Sequence, residues 1–163
     1  MRCAHLFIRR EWWARCALPT LRTTAHTDSK SVIRKVSLMT SLSQTDLENL
    51  QADSNSLATS AFVGVLVGFG SMILHFSNGS SMLVQCAFEV FDGKLSRSGH
   101  GESAGTSVIL FEFFNQHVVS VTVDVVGQMI FNFDAERGFR IIPNDSGLES
   151  YVLRTPKGVF PVY

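Results

Sequence analysis

The stretch Gly70-Ser-Met-Ile-Leu-His-Phe-Ser-Asn-Gly-Ser-Ser-Met-Leu-Val84 decides the fold, because a related one begins 57 residues later. That second stretch is Gly127-Gln-Met-Ile-Phe-Asn-Phe-Asp-Ala-Glu-Arg-Gly-Phe-Arg-Ile141. Gly70 falls on Gly127, Met72-Ile73 on Met129-Ile130, Phe76 on Phe133, Met82 on Phe139 and Val84 on Ile141. Each copy alternates apolar with other side chains, breaks at a polar turn, and alternates again. That pattern predicts two antiparallel strands with one buried face.

Working outward, residues 61–76 are the most apolar part of the chain, yet too short for the roughly 20 residues of a membrane helix. Gly64, Gly68 and Gly70 weaken a helix, so the run reads as two strands with a glycine bend between them. Asn78-Gly79 supplies a hairpin turn, and the returning strand runs from Met82 to about Phe91. Residues 92–106 are polar and glycine-rich and read as a surface loop. Val108 to Phe114 reads as a buried helical turn or a strand, the spacing of Val108, Phe111 and Phe114 favouring the helical turn, after which Val118 to Phe133 repeats the strand–bend–strand pattern. Phe139 to Ile142 returns, and Pro143 ends it. A last hairpin is expected over 150–163, and a short helix capped by Ser43 or Thr45 over the segment holding Leu47 and Leu50. The expected fold is therefore mostly β (α+β), a single domain over 39–163. It consists of two duplicated units, pseudo-repeats about 47–91 and 105–142, each a short helix plus about three antiparallel strands. Neither unit buries its apolar face alone, so they should pack as a sandwich or half-open barrel.

At 163 residues with 45% hydrophobic composition and 13 Phe, the chain has the makings of a sizeable core. Its zero net charge conceals an asymmetry. Residues 1–38 hold eight Lys/Arg against two acids, a net +6, whereas 39–163 hold six against twelve, a net −6. The first segment, with Trp12 and Trp13 and no sustained periodicity, reads as an unstructured basic leader, an organelle transit peptide, or a spurious extension upstream of a start at Met39. The acidic remainder disfavours nucleic acid and favours a basic protein partner. Cys3, Cys16 and Cys86 form no C-x-x-C pair, and Cys86 alternates with Met82, Val84 and Phe88 as a small core residue. A reducing, cytoplasmic setting is the expectation, with no membrane association.

The segment from Leu74 to Leu83, its recurrence from Phe131 to Arg140, and the tail from Ile141 through Pro143, Asp145, Glu149 and Tyr151 to Gly158 resemble a family of small bacterial proteins known only as a domain of unknown function. In that family a Pro-Asp segment leads to Glu-x-Trp and a final Gly-Pro-x-Gly. Here Tyr151 stands for the tryptophan and Thr155-Pro156 for Gly-Pro. The resemblance covers roughly residues 60–163 and implies a fold rather than a chemistry. Similar two-unit β proteins serve as toxin-immunity proteins.

Gly101-Glu-Ser-Ala-Gly105 is a literal G-x-S-x-G, which in α/β-hydrolases holds a nucleophilic serine on a strained strand-to-helix turn. The residues before it are polar, only His117 follows as a base, and Glu112 is the single acid between them, so a flexible loop fits better. No histidine spacing suits a metal, and no cofactor motif is present. By alternation His75 lies on the outer face of its strand. Glu149 and Tyr151, two apart, point to one side of a strand and with Asp145 form a candidate partner-binding patch, unless Tyr151 packs into the core edge. The expected function is non-catalytic protein binding, of immunity type, masking a basic effector. The alternatives are a small enzyme with a site near His100 and Ser103, or an oligomerising β module.

Overall fold

The computed structural model describes residues 41–144 and 148–163; the readings made for residues 1–38 and for Asp145 lie outside the described residues. Helix α1 spans Gln44–Ser54, and its first turn is held by the Asp46 N–H donating to the Ser43 hydroxyl at 3.2 Å. A 3₁₀ turn, Asn55–Leu57, then buries Leu57. Ten strands follow: β1 Phe62–Gly68, β2 Ser71–Phe76, β3 Ser81–Val84, β4 Ala87–Asp92, β5 Leu95–His100, β6 Ser120–Val123, β7 Met129–Asn132, β8 Arg137–Ile142, β9 Tyr151–Thr155 and β10 Gly158–Val162. A second 3₁₀ helix, Ala104–Phe113, separates β5 from β6.

The strands form two antiparallel sheets of five, ordered β1-β2-β3-β9-β10 and β5-β4-β8-β7-β6. Each is therefore a three-strand meander extended by a hairpin from elsewhere in the chain. After β3 the chain crosses to pair β4 with β8, and after β8 it crosses back to pair β9 with β3. The turns that permit this are local. Gly70 and Gly127, the matched glycines of the opening stretches, both take positive φ, +77° and +79°, between the first two strands of their meanders. At Asn78-Gly79 only the glycine takes positive φ. The Asn78 side chain instead accepts from the Ser80 N–H at 3.0 Å and donates to the Ser56 carbonyl at 2.7 Å.

The inner faces meet in an aromatic core. Phe62 lies 5.7 Å from Phe76 in its own sheet and 5.7 Å from Phe139 in the other. Phe76 stacks on Phe131 at 5.6 Å with the rings 12° apart, again bridging the sheets. Met72, Leu74, Met82, Val84, Leu153, Phe88, Met129 and Ile141 fill the rest, all essentially inaccessible. Each such side chain contributes about 1.5–3 kcal/mol of burial, and well-placed ring pairs roughly 0.5–1.5 kcal/mol beyond that.

Three expectations are corrected. The strand read from Met82 to Phe91 is two strands in different sheets, broken at Gln85-Cys86. Alternation runs through the break because Val84, Cys86 and Phe88 are all buried, first against one sheet and then the other. Residues 92–106 are not a loop: Leu95–His100 pairs with all six residues of β4. Its polar composition hides a strand whose Gly99 lies under the Phe88 ring, where a Cβ would come within 2.3 Å of it. Finally, the helical turn at 108–114 is a 3₁₀ helix that starts at Ala104. Its buried face is Ser107, Leu110 and Phe113, leaving Val108 and Phe111 exposed. The spacing of three that suggested a helix is the 3₁₀ period itself.

Candidate interaction surface

Two rows of side chains cross the outer faces of the sheets at corresponding places and differ in chemistry. On the β1–β10 sheet, Leu66, Ile73, Leu83, Val152 and Pro161 lie directly opposite one another, one from each strand. On the other sheet the row is Thr122, Ile130, Arg140, Glu89 and Ser98. Leu83 and Val152 join the meander to the added hairpin in the first sheet, as Arg140 and Glu89 do in the second. In the second sheet that position is an ion pair: Arg140 Nε donates to Glu89 Oε2 at 2.7 Å, and the guanidinium sits 5.9 Å over the Phe91 ring. In the first it is aliphatic throughout.

The apolar row runs out onto β1 at Leu66, which is 58% exposed; Val63 and Val67 of the same strand and Phe69 in the turn after it are also exposed, Val67 on the opposite side of the strand from Leu66. No Asp, Glu, Lys or Arg occurs between Asp53 and Glu89, so β1, β2 and β3 are without formal charge. The row beside it is more polar: Gly64, His75, Ser81, Arg154 and Val159. A contiguous apolar surface with a polar border is the anatomy of a protein-binding patch. The sequence identified 61–76 as two strands with a glycine bend between them, and a continuous apolar run does not by itself tell whether the first strand is covered on one face, both or neither. The signal that marks it as exposed is the combination of that run with three glycines.

The residues singled out from sequence are dispersed. Tyr151 is completely buried, and its hydroxyl donates to the Gly127 carbonyl at 2.6 Å, tying β9 to the β6–β7 turn of the opposite sheet. Burial pushes its phenol well above the ordinary value. It is a core residue, and the patch it was to share with Glu149 does not form. Glu149 is half-buried, just before β9. Glu89, Glu112, Asp134 and Asp53 are taken up in ion pairs with Arg140, Arg97, Arg137 and Lys157, and the other carboxylates among the described residues are spread over helix, strands and turns.

His100 and Ser103 sit at the end of β5. The His100 N–H donates to the Thr106 hydroxyl at 3.1 Å, and Thr106 Oγ1 donates back to the His100 and Ser103 carbonyls. His100 Nδ1 accepts from the Glu102 N–H at 3.3 Å, and among the described residues no hydrogen bond joins the Ser103 hydroxyl to the imidazole. Ser103 has φ −102° and ψ 96°, ordinary extended backbone rather than a strained elbow. The first glycine of G-x-S-x-G has a packing role, since a Cβ on Gly101 would come within 2.2 Å of the Val84 carbonyl oxygen. Burial raises the Cys86 thiol to about 12, which keeps it protonated and inert.

A groove of about 450 Å³ lies between the start of α1 and β10, lined by Ser43, Asp46, Asn49, Phe160 and Tyr163 among others; it contains none of the residues singled out. Among the described residues no cluster of three His, Cys, Asp or Glu is placed to hold a metal, and no helix is long and apolar enough to cross a membrane. Comparison with protein-family models, with curated proteins and with solved structures finds no match to this chain.

Proposed function

We propose that this chain is a non-catalytic protein-binding module that receives its partner on the outer face of the β1–β10 sheet. The observation that carries the proposal is the contrast between the two outer rows. Where one sheet carries Arg140 paired with Glu89, the other carries Leu83 opposite Val152. A surface with no partner gains nothing from aliphatic side chains there, whereas a contact face gains the burial. An immunity-type role masking a basic effector remains compatible with the net −6 of residues 39–163. The dispersed and partly paired carboxylates, however, shift the weight from charge to the apolar face.

The contrast has most force if the two sheets descend from one duplicated unit, which is part of this reading. Supporting it, the ends of the two helical segments are joined by hydrogen bonds that exchange under one correspondence. Thr59 N–H donates to the Val118 carbonyl and Asn115 N–H to that of Phe62, both at 2.8 Å. Val118 N–H donates to the Ser60 carbonyl and Phe62 N–H to that of Gln116, both at 2.9 Å. Thr59 and Asn115 are also the two non-glycine residues with positive φ among the described residues. On this reading the two units would span 44–100 and 104–162, each a helical segment followed by five strands, where the sequence suggested about 47–91 and 105–142.

The test is to transplant the charged pair. Leu83→Arg with Val152→Glu installs in the first sheet the ion pair the second already tolerates, so the variant folds with a thermal midpoint close to the parent's. Pull-downs with the full chain and the double variant then decide: proteins retained by the parent are lost by the variant. Retention of the same proteins by both, or of none by the parent, overturns the proposal.

A further inference from the structure

The outer face ends at β1, and that edge is unlike the other three. Exposed edges invite pairing with another chain, and folded proteins normally block them. Here β10 carries Pro161, which has no N–H to offer. Strand β5 carries Arg97, whose guanidinium is paired with Glu112 of the adjoining 3₁₀ helix. The β6 edge is closed by a side chain: Gln51 of α1 donates to the Val121 carbonyl at 3.0 Å and accepts from the Val123 N–H at 2.8 Å, as a neighbouring strand does. On the open side of β1, among the described residues, the first residue alone is hydrogen-bonded, Phe62 exchanging backbone hydrogen bonds with Asn115 and Gln116. The remainder, Gly64-Val-Leu-Val-Gly68, has no proline and no charge, and among the described residues no side chain hydrogen-bonds to its backbone as Gln51 does to β6.

We infer that Gly64–Gly68 pairs antiparallel with the same segment of a second copy, about a two-fold axis at Leu66. This goes beyond the binding role proposed above, because it rests on the edge and not on the face. Three observations favour a second copy over a foreign strand. The free segment is symmetric about Leu66, so the two-fold sets Val65 opposite Val67 on the inner side and Gly64 opposite Gly68. A two-fold also brings every residue near the axis up against its twin, so any charge there repels itself; none occurs between Asp53 and Glu89. Lastly, side chains directly opposite in an antiparallel pair share a face. Leu66 therefore meets its twin on the outer face, and the row of Leu66, Ile73, Leu83, Val152 and Pro161 continues unbroken across ten strands. The second copy thus doubles the apolar face on one side of the extended sheet.

Five paired residues span about 17 Å of an edge about 10 Å deep, roughly 350 Å² over both partners, far below the roughly 1,200 Å² at which stable complexes begin. The dimer is accordingly weak and concentration-dependent. Sedimentation equilibrium of the full chain up to about 1 mM should show monomer passing to dimer. Leu66→Lys places two ammonium groups at the axis and should raise the dissociation constant at least tenfold, while Leu95→Lys on the β5 edge leaves it unchanged. Because a charge at position 66 also tests folding, Leu66→Cys provides a second readout. Mild oxidation should give a disulfide joining the two introduced thiols at position 66, identified by peptide mapping, in a yield that rises with protein concentration. Leu95→Cys should give no such link. Monomer at every concentration, self-association indifferent to Leu66→Lys, or absence of the disulfide at position 66 overturns the inference. The Leu83→Arg, Val152→Glu variant separates the two proposals, since it should still dimerise while losing its partner.

Discussion

Tyr151→Phe distinguishes a core tyrosine from a surface one and has a magnitude that follows from the structure. The substitution keeps the ring and removes only the hydroxyl, which donates to the Gly127 carbonyl at 2.6 Å in a completely buried setting. A net hydrogen bond is worth about 1 kcal/mol, and stranding its buried partner raises the loss to about 1–3 kcal/mol. Gly127 sits at the β6–β7 turn with φ +79°, so the turn has little freedom to move its carbonyl to another donor. A loss of about 2 kcal/mol is therefore expected, or roughly 6–10 °C in thermal midpoint for a folded region of this size. Urea unfolding followed by far-ultraviolet circular dichroism measures it; the midpoint should fall with an unchanged slope, since the same surface is exposed on unfolding. Glu149→Gln, on the neighbouring half-buried residue, should stay within about 0.5 kcal/mol of the parent. A Tyr151→Phe variant as stable as the parent but impaired in partner binding would refute this reasoning and return the hydroxyl to the surface.

Gly101→Ala drives a Cβ into the backbone of Val84 and Gln85, with contacts of 2.2–2.8 Å. It should cost at least about 1–3 kcal/mol by thermal unfolding, and a neutral result would mean the β3–β4 crossing yields freely. Gln51→Ala removes both side-chain hydrogen bonds that close the β6 edge, so a loss of about 1–2 kcal/mol should be accompanied by greater light scattering at high concentration. Unchanged stability and scattering would show that Gln51 is not guarding that edge. At alkaline pH the buried Cys86 thiol, raised from 9.0 to about 12, holds its proton while the unfolded chain releases it. Stability from this group is intact below pH 9 and falls as pH rises from 9 towards 12, by up to about 1.4 kcal/mol per unit, with Tyr151 adding to the decline above its ordinary 10.0. Cys86→Ala should flatten the decline between pH 9 and 10; an unaltered slope would place its origin elsewhere.

Local features of this chain are legible in its sequence. A cap at Ser43 or Thr45, of which the structure uses Ser43, the glycine bend at Gly70, the turn at Gly79 and the stop at Pro143 each depend on one or two residues whose backbone preferences act over a few bonds. The outward placement of His75 and the burial of Cys86 followed from alternation alone. The edge strand β5 escaped notice because Ser, Arg and Gly pair through the backbone as any residue does, and its inner side needs only Gly99 to admit the Phe88 ring. The apolar row was illegible for another reason. Its members are drawn from five strands as distant as Leu66 and Pro161, and no single strand shows that they lie side by side.

The sequence by itself determined that this chain is β-rich, that it turns at Gly70, Gly79 and Gly127, and which side chains of the strands it identified share a face, because the pleat has a period of two and turns are short-range. Only the tertiary structure decided which sheet each strand joins, that Tyr151 points inward to Gly127, and that Val63, Leu66, Val67 and Phe69 meet solvent. A period of two gives the same pattern for a strand facing either sheet, and only the packing of one sheet on the other determines which apolar face is left uncovered.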